Sequence, residues 1–562
     1  MANKYTIGLD YGTNSCRALL VDVSNGDELA AAVFNYPHGE AGILLDPRDP
    51  NLARQHPQDY IDGIEATVKE VLKKAASVPG FSPANVIGFG VDTTGSTPIP
   101  VDATGTPLAF RKEFAKDLAA MAWLWKDHTG HAEAEEITAK AAKLKPEYLA
   151  KCGGRYSSEW FWSKLTHCAR TSPKVFAAAY TWVECSDYIP AVLTGVIDAN
   201  EIKRDICAAG HKAMCNPEWG GYPDIKFLKK IDPKLEKVRK TLPSKTYCIA
   251  DSVGGLTQAW ADKLGLPAGI PVAAGAFDAH TGGVGSGITP GSLVKIIGTS
   301  TCDMMVAPMK RKLPNIPGLC GIVPESILPD MWGLEAGQSA VGDIFNWFVN
   351  VIQPGGSENG SHAALTQGAE KLQPGQSGLL ALDWHNGNRT VLTDQRLTGA
   401  IIGLTLHSTP AEIYRALVES TAFGARVIME RFEEYGVKVD RVINCGGIAA
   451  KNPMVMQIYA DIMGRPLMIS RSSQTCALGS AIAAAVVAGK AAGGYDSFPA
   501  AVKAMTGVQK QVFKPIKNNV AVYNRMYKAY RQLHDAFGVR NTKSDISGVM
   551  KNLLAIRDEV RK

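Results

Sequence analysis

The chain reads as an α/β protein assembled from two copies of one domain plan. Three observations lead there. Its 562 residues exceed what one core holds, since domains run to roughly 100–200 residues. Short apolar runs of strand type alternate with segments of helical periodicity. Gly12-Thr13-Asn14-Ser15-Cys16-Arg17, set between two strand patterns, is echoed by Gly298-Thr299-Ser300-Thr301-Cys302-Asp303, again between two strand patterns. A Gly-Thr turn is common alone, and the echo gains weight from its matching flanks and its place near the start of each half.

The elements follow in order. Tyr5–Asp10 and Arg17–Asp22 are joined by the first Gly-Thr turn, and Ser24-Asn25-Gly26-Asp27 leads on to Glu28–Tyr36, which makes an opening β-meander. Behind Pro57, residues Gln58–Ala76 place Ile61, Ile64, Val68, Val71, Leu72 and Ala75 at helical spacing. Asn85–Val91 is a buried strand ending at Asp92. The second half opens with a short strand at Pro271–Gly275, then Phe277-Asp278-Ala279-His280 and a glycine cluster at 282, 283, 285 and 287 that marks a domain crossing. Strands at Leu293–Ile297 and Met304–Val306 flank the second Gly-Thr turn, and a strand at Val442–Asn444 runs into Cys445-Gly446-Gly447. The expected division is 1–275, 276–540 and a helical tail over 541–562.

Composition removes several classes. Apolar residues make up 46% and charged residues 20%, which is globular rather than disordered or coiled-coil. Sixty Lys and Arg against fifty-four Asp and Glu leave a net charge of +6, with no basic run longer than Lys310-Arg311-Lys312, so nucleic acid is not an expected partner. A phosphorylated ligand suits the mild surplus. The eleven cysteines form no C-x-x-C pair, so spacing gives neither a zinc site nor a redox dithiol. The longest small-apolar run, Ala481–Gly489, falls far short of the ~20 residues that span a bilayer. No membrane partner is expected, and a soluble cytoplasmic protein is.

The motifs permit phosphate chemistry. Turns rich in Gly and hydroxyls present backbone N–H groups to phosphate oxygens, and two such turns facing each other would clamp one nucleotide. The G-x-x-x-x-G-K-[ST] sequence is absent, and Gly283–Gly287 lacks the strand–turn–helix frame of a dinucleotide fingerprint. Asp10, ending the first strand, either stabilises its turn or holds Mg²⁺ through water. Asp278 is either a helix N-cap or a general base taking a proton from a substrate hydroxyl. Gly446 and Gly447 would let a flat ring lie on the backbone, with Lys451 or Asn452 meeting the nucleotide; a plain strand-to-helix turn explains them nearly as well.

Together these motifs resemble the FGGY carbohydrate kinases of the actin, Hsp70 and sugar-kinase superfamily, over about residues 5–490. The sharpest piece is Gly399-Ala-Ile-Ile-Gly403-Leu404, followed by Glu412-Ile413 and Ala416-Leu417-Val418-Glu419. The resemblance implies two duplicated ribonuclease-H-like domains with a cleft between them, most of the sugar site in the first and most of the nucleotide site in the second. It implies ATP and Mg²⁺, with Asp10 placing the ion. Gly12, Thr13 and Ser15 become the first phosphate loop, and Gly298, Thr299 and Ser300 the second. Gly446, Gly447, Lys451 and Asn452 become the adenosine loop, Gly342 and Asn346 further nucleotide contacts, and Asp278 the catalytic base.

Within the family the likeness is greatest to the bacterial subgroup acting on L-ribulose. Asp92-Thr93-Thr94-Gly95-Ser96-Thr97-Pro98, Leu124-Trp125-Lys126-Asp127-His128, Gly210-His211-Lys212-Ala213 and Glu335-Ala336-Gly337-Gln338-Ser339 carry it. Thr94, Gly95, Ser96, Trp125, Asp127, Lys212, Asp278 and Glu335 are then the expected sugar contacts. Two departures stand out. The W-x-D-x-R of other members is Trp125-Lys126-Asp127-His128-Thr129 here, without the Arg, and Cys215 stands where an aromatic residue is expected after His-Lys-Ala. The expected activity is ATP-dependent phosphorylation of L-ribulose to L-ribulose 5-phosphate, in L-arabinose catabolism. Rivals are another pentulose (D-ribulose or xylulose) on the same fold, and an actin- or chaperone-like ATPase with no small acceptor. Oligomeric state is left open, a homodimer included.

Overall fold

The computed structural model describes residues 3–356 and 360–561. Two mixed seven-stranded sheets dominate it. In the first, Tyr5–Tyr11, Ser15–Asp22 and Glu28–Asn35 form the antiparallel meander, and Tyr5–Tyr11 also pairs in parallel with Val86–Thr93. Pro271–Ala273 continues this sheet in parallel, and Ser252–Gly255 closes it antiparallel. The second sheet repeats the plan. Ser292–Ile297, Thr301–Pro308 and Met331–Ala336 form its meander, and Arg441–Cys445 and Leu467–Ser470 add on in parallel. Val508–Phe513 closes it antiparallel. The second copy carries an edge strand, Gly321–Pro324, that the first lacks, and the first carries the short strand Ala276–Phe277 beside Val86–Thr93. The two Gly-Thr turns occupy equivalent hairpins, closed by Gly12 N–H to the Ser15 carbonyl at 2.9 Å and Gly298 N–H to the Ser300 carbonyl at 3.0 Å.

Local chemistry explains the elements. The helix Pro57–Ala75 begins with Pro at its first position and the His56 ring accepting from Gln58 N–H, carries Asp59 in its first turn and Lys73 and Lys74 in its last, and buries Ile64, Val68, Val71, Leu72 and Ala75. The Gly399–Leu404 segment is a short strand, Ala400–Ile402, turned by Gly403 at φ +93° into the helix Pro410–Glu434. Thr409 and Glu412 close that helix with a reciprocal capping box.

A crossing of two small-residue helices joins the halves. Thr475–Ala488 is apolar on nearly every side, as a wholly buried helix must be, and it lies on the first sheet although its sequence falls between two strands of the second. Close approach requires glycine. A Cβ on Gly8 would stand 1.8 Å from the Ala477 carbonyl oxygen, and one on Gly90 1.8 Å from that of Ser480. The helix Asp278–Gly285 packs on it through Gly285 and Gly479, where a Cβ would meet the Thr475 and Thr281 oxygens at 2.0 and 1.9 Å. The glycine cluster thus serves the helix crossing. No described helix is long and apolar enough to cross a membrane. Over the tail, Val549–Val560 is helical and sets Val549, Leu553 and Ile556 in the second core.

Candidate active site

Three carboxylates meet where the parallel strands of the first sheet end. Asp10 pairs in register with Asp92, and Asp92 with Ala276, two residues before Asp278. Asp92 is wholly buried, accepts from the Ser480 hydroxyl at 2.6 Å and leaves Oδ1 without a partner. Burial, reinforced by the neighbouring Asp10, lifts its carboxyl well above the ordinary range. Burial also raises Asp10, against the pull of Arg17 at 3.4 Å. Asp278 is the first residue of its helix, whose N-cap is Phe277, and its Oδ1 accepts from Ala279 N–H at 2.6 Å. Burial, then Asp10, push its pKa up to about 7. A carboxylate so poised accepts a proton near neutrality.

Beside Asp278 lies a cavity of about 220 Å³ lined by residues of both halves, among them Trp160, Lys212, Glu335 and Arg389. Lys212 Nζ donates to both Glu335 oxygens, at 3.0 and 3.1 Å, and stands 5.4 Å from the Trp160 ring centre and 5.7 Å from that of Phe277. Burial works against the Lys212 charge, but Glu335 outweighs it and raises the pKa. The Lys212 charge overcomes the burial of Glu335 and holds it well below the carboxylate range. Tyr156 and Trp160 supply the cavity's aromatic lining. Cys215, where sequence reasoning looked for it, is buried in the first domain's own core.

The other expected sugar contacts divide. Trp125 donates from Nε1 to the Thr13 hydroxyl at 3.0 Å, tying the sugar segment to the first phosphate turn. Thr94 bonds Thr97 through their hydroxyls at 3.1 Å, while Ser96 and Thr97 N–H both bond Glu184. Beneath Gly95 sits the Phe277 ring, so close that a Cβ would fall 2.1 Å from it. Like Thr94, Gly95, Ser96, Trp125 and Asp278, Asp127 lies outside the cavity's lining. It is fully buried, paired with Arg54, and accepts from Ala53 N–H at 2.8 Å and the Thr129 hydroxyl at 2.6 Å. Arg54, on the strand Asp49–Gln55, sets its guanidinium against Asp127. Lys164 holds this region together, donating to the carbonyls of Ser96, Trp123 and Leu124. Periodicity reads Lys164, Glu184 and Arg54 as ordinary polar positions; only charge within the apolar runs Trp160–Leu165 and Thr181–Cys185 could have flagged the first two.

A larger cavity, about 1110 Å³, gathers Gly298, Thr299, Gly342, Asn346, Gly447, Lys451 and Asn452. Gly342 is glycine because its N–H reaches the Gly298 carbonyl at 3.1 Å, where a Cβ would lie 2.5 Å from that oxygen. Gly446, at φ +95°, lies against the Ile297 carbonyl at the same mouth. Asn346 meets His362 at 2.9 Å, and Asn452 caps the helix Pro453–Met463, accepting from Val455 N–H at 3.2 Å. Gly12, Thr13, Ser15, Ser300 and Gly446 lie outside this cavity's lining. Arg17, not expected from sequence, bridges Asp10 and Gln474.

Comparison with known proteins agrees with this geometry. Residues 5–285 match the N-terminal domain of the FGGY family of carbohydrate kinases, and residues 293–488 its C-terminal domain. The chain is 42% identical over 554 residues to a ribulokinase of Geobacillus thermodenitrificans, covering 96% of this chain and 95% of that one. It is 42% identical over 548 residues to a ribulokinase of Vibrio parahaemolyticus, covering 94% and 95%. The crystal structure of a xylulose kinase from Rhodospirillum rubrum superposes with TM-score 0.75 at 22% identity, over 95% of this chain and 99% of that one, and shows the same two-domain sugar-kinase fold. With its paired sheets, its two Gly-Thr hairpins and both family domains matched, the chain belongs to the FGGY family of carbohydrate kinases.

Proposed function

We propose that the protein transfers the γ-phosphoryl group of ATP to the terminal hydroxyl of L-ribulose, giving L-ribulose 5-phosphate, as a cytoplasmic step of L-arabinose breakdown. The observation that carries this reading is the position of Asp278, within electrostatic reach of Asp10, which precedes the first hairpin turn, and of the Lys212–Glu335 pair. The ribulokinases that match nearly the whole chain supply the substrate.

The residues take these roles. Gly12, Thr13, Ser15, Gly298, Thr299 and Ser300 receive the phosphates, and the 1110 Å³ cavity receives the nucleoside. Lys212 and Glu335 offer donors and acceptors to the sugar hydroxyls. Asp278 takes the proton of the attacking hydroxyl and orients it in line. Asp10 and Asp92, with Cys476, bring ligand atoms within 4.8 Å of one another, and two carboxylates with an unpartnered buried oxygen suit a hard cation. Asp10 would hold Mg²⁺ there, through water, and the ion would neutralise phosphate charge. Enclosing the reaction between the domains keeps water from the γ-phosphate.

A coupled ADP-release assay over ribulose enantiomers, xylulose, pentoses, polyols and glycerol tests this. Ribulose should be turned over best, L over D, and glycerol poorly. Better turnover of xylulose or glycerol rejects the substrate, and ADP release without any sugar favours an ATPase. Thr299→Val should raise the KM for ATP about 2–13-fold, the worth of one hydrogen bond, and leave that for ribulose in place.

A further inference from the structure

Three ligand atoms converge beside the Lys212–Glu335 pair without being bonded to one another. His211 Nδ1 lies 3.2 Å and His280 Nε2 3.8 Å from Glu335 Oε2. Both imidazoles are 2% exposed, and His211 Nδ1 and both His280 nitrogens have no hydrogen-bond partner. Such orphaned buried nitrogens are costly. The Ser326 hydroxyl donates to the Val323 carbonyl at 3.2 Å, so it accepts from His211 Nε2–H at 2.9 Å, and that tautomer leaves Nδ1 bare. A bare imidazole lone pair then faces a carboxylate oxygen. An electropositive atom belongs between them.

We propose that His211, His280 and Glu335 form a binding site for Zn²⁺ or a similar borderline divalent cation, distinct from the Mg²⁺ position at Asp10, with the fourth ligand drawn from the sugar cavity. Three protein ligands and one open position are a common zinc arrangement, and metal–ligand distances of ~2.0–2.2 Å put tetrahedral ligand atoms roughly 3.3–3.6 Å apart. The observed 3.2 and 3.8 Å bracket that spacing. The Ser326–His211 bond is the outer-shell contact that fixes a ligating tautomer. Gly321 leaves the space beside His211 Nδ1, where a Cβ would stand 1.8 Å away. Lys212 Nζ reaches Oε1 at 3.0 Å and Oε2 at 3.1 Å, so a metal on Oε2 leaves Lys212 to Oε1. Bound zinc occupies the sugar's own anchor, which makes it a competitor of the sugar. That consequence rests on the proposed sugar pocket; the binding does not.

The test uses the full chain without nucleotide. Titration with Co²⁺ should give one ion per chain with the visible d–d bands of a four-coordinate site and no sulfur-to-cobalt charge transfer, and Zn²⁺ should displace it. His280→Asn and His211→Asn should each weaken Zn²⁺ more than the ~10–100-fold that loss of an outer-shell partner costs, and Ser326→Ala by about that amount. Thiolate charge transfer, no stoichiometric ion, or unchanged Zn²⁺ affinity in both folded histidine variants would overturn the site. The wild-type spectrum decides the matter should those variants fail to fold. L-ribulose should weaken Zn²⁺ at least about tenfold. Zinc bound as described but indifferent to ribulose upholds the metal site and overturns the sugar pocket; ribulose turned over by a chain that binds no zinc does the reverse.

Discussion

Replacing Lys212 by methionine separates two tasks that one ammonium performs. The side chain is 6% exposed and its partner Glu335 7%, so the pair is desolvated. Removing one member of a buried pair leaves the other uncompensated, at about 3–5 kcal/mol. In a domain of this size about 1 kcal/mol moves the unfolding midpoint by roughly 2–4 °C, so Lys212→Met should unfold roughly 6–20 °C early. The carboxyl of Glu335, no longer held down by Lys212, should also regain a proton in the usual carboxylate range. Lys212→Met/Glu335→Gln removes both charges and should recover most of the lost stability, because a neutral pair of similar volume is about as good as the ion pair. Sugar recognition behaves differently. Both the single and the double variant should show a ribulose KM raised by more than tenfold, with ADP binding in the absence of sugar unchanged. Thermal melts and initial rates on wild type, Lys212→Met, Glu335→Gln and the double variant close the cycle. A single variant as stable as wild type with normal ribulose KM refutes the buried pair and its role. A double variant that regains normal KM refutes the recognition role alone.

Further outcomes follow from the same geometry. Asp278→Asn is nearly isosteric and loses proton acceptance, worth typically 10²–10⁴-fold, so kcat should fall at least ~10² while ribulose binding stays within a few-fold; retained kcat would place the base elsewhere. With the Asp278 pKa raised from 3.8 to about 7, wild-type kcat/KM should climb about tenfold per pH unit up to pH ~7 and level above it. The same shift makes the folded state the better proton binder, so this carboxyl's support of folding is complete below pH ~4 and is lost as pH rises towards 7. Melts of wild type against Asp278→Asn should therefore diverge over that range in favour of Asn. Gly342→Ala puts a methyl 2.5 Å from the Gly298 oxygen; displacing the second phosphate turn by about 1–3 kcal/mol should raise the ATP KM roughly 5–150-fold and leave ribulose KM alone. Gly479→Ala forces apart helices whose backbones touch, a Cβ lying 1.9 Å from the Thr281 oxygen, and should lower the melting midpoint and kcat together.

What the sequence by itself determined is what lies within one segment. The meander, the capped helix Pro57–Ala75 and both Gly-Thr hairpins depend on periodicity and turn chemistry, which neighbours a few residues apart decide. The family motif was legible for the same reason. Tertiary structure alone decided which side chains share a site. Lys212 and Glu335 are separated by 123 residues, and no local pattern records that their strands and helices bring them together. Asp127 read as a sugar contact because its motif is local, but Arg54, folded in from another strand, takes its charge. Asp10, Asp92 and Asp278 became one carboxylate cluster only through parallel register, and the glycines at 285 and 479 only through a helix that returns to the first sheet. Burial turns such meetings into chemistry, since the low dielectric that raises Asp278 exists only once the chain has folded around it.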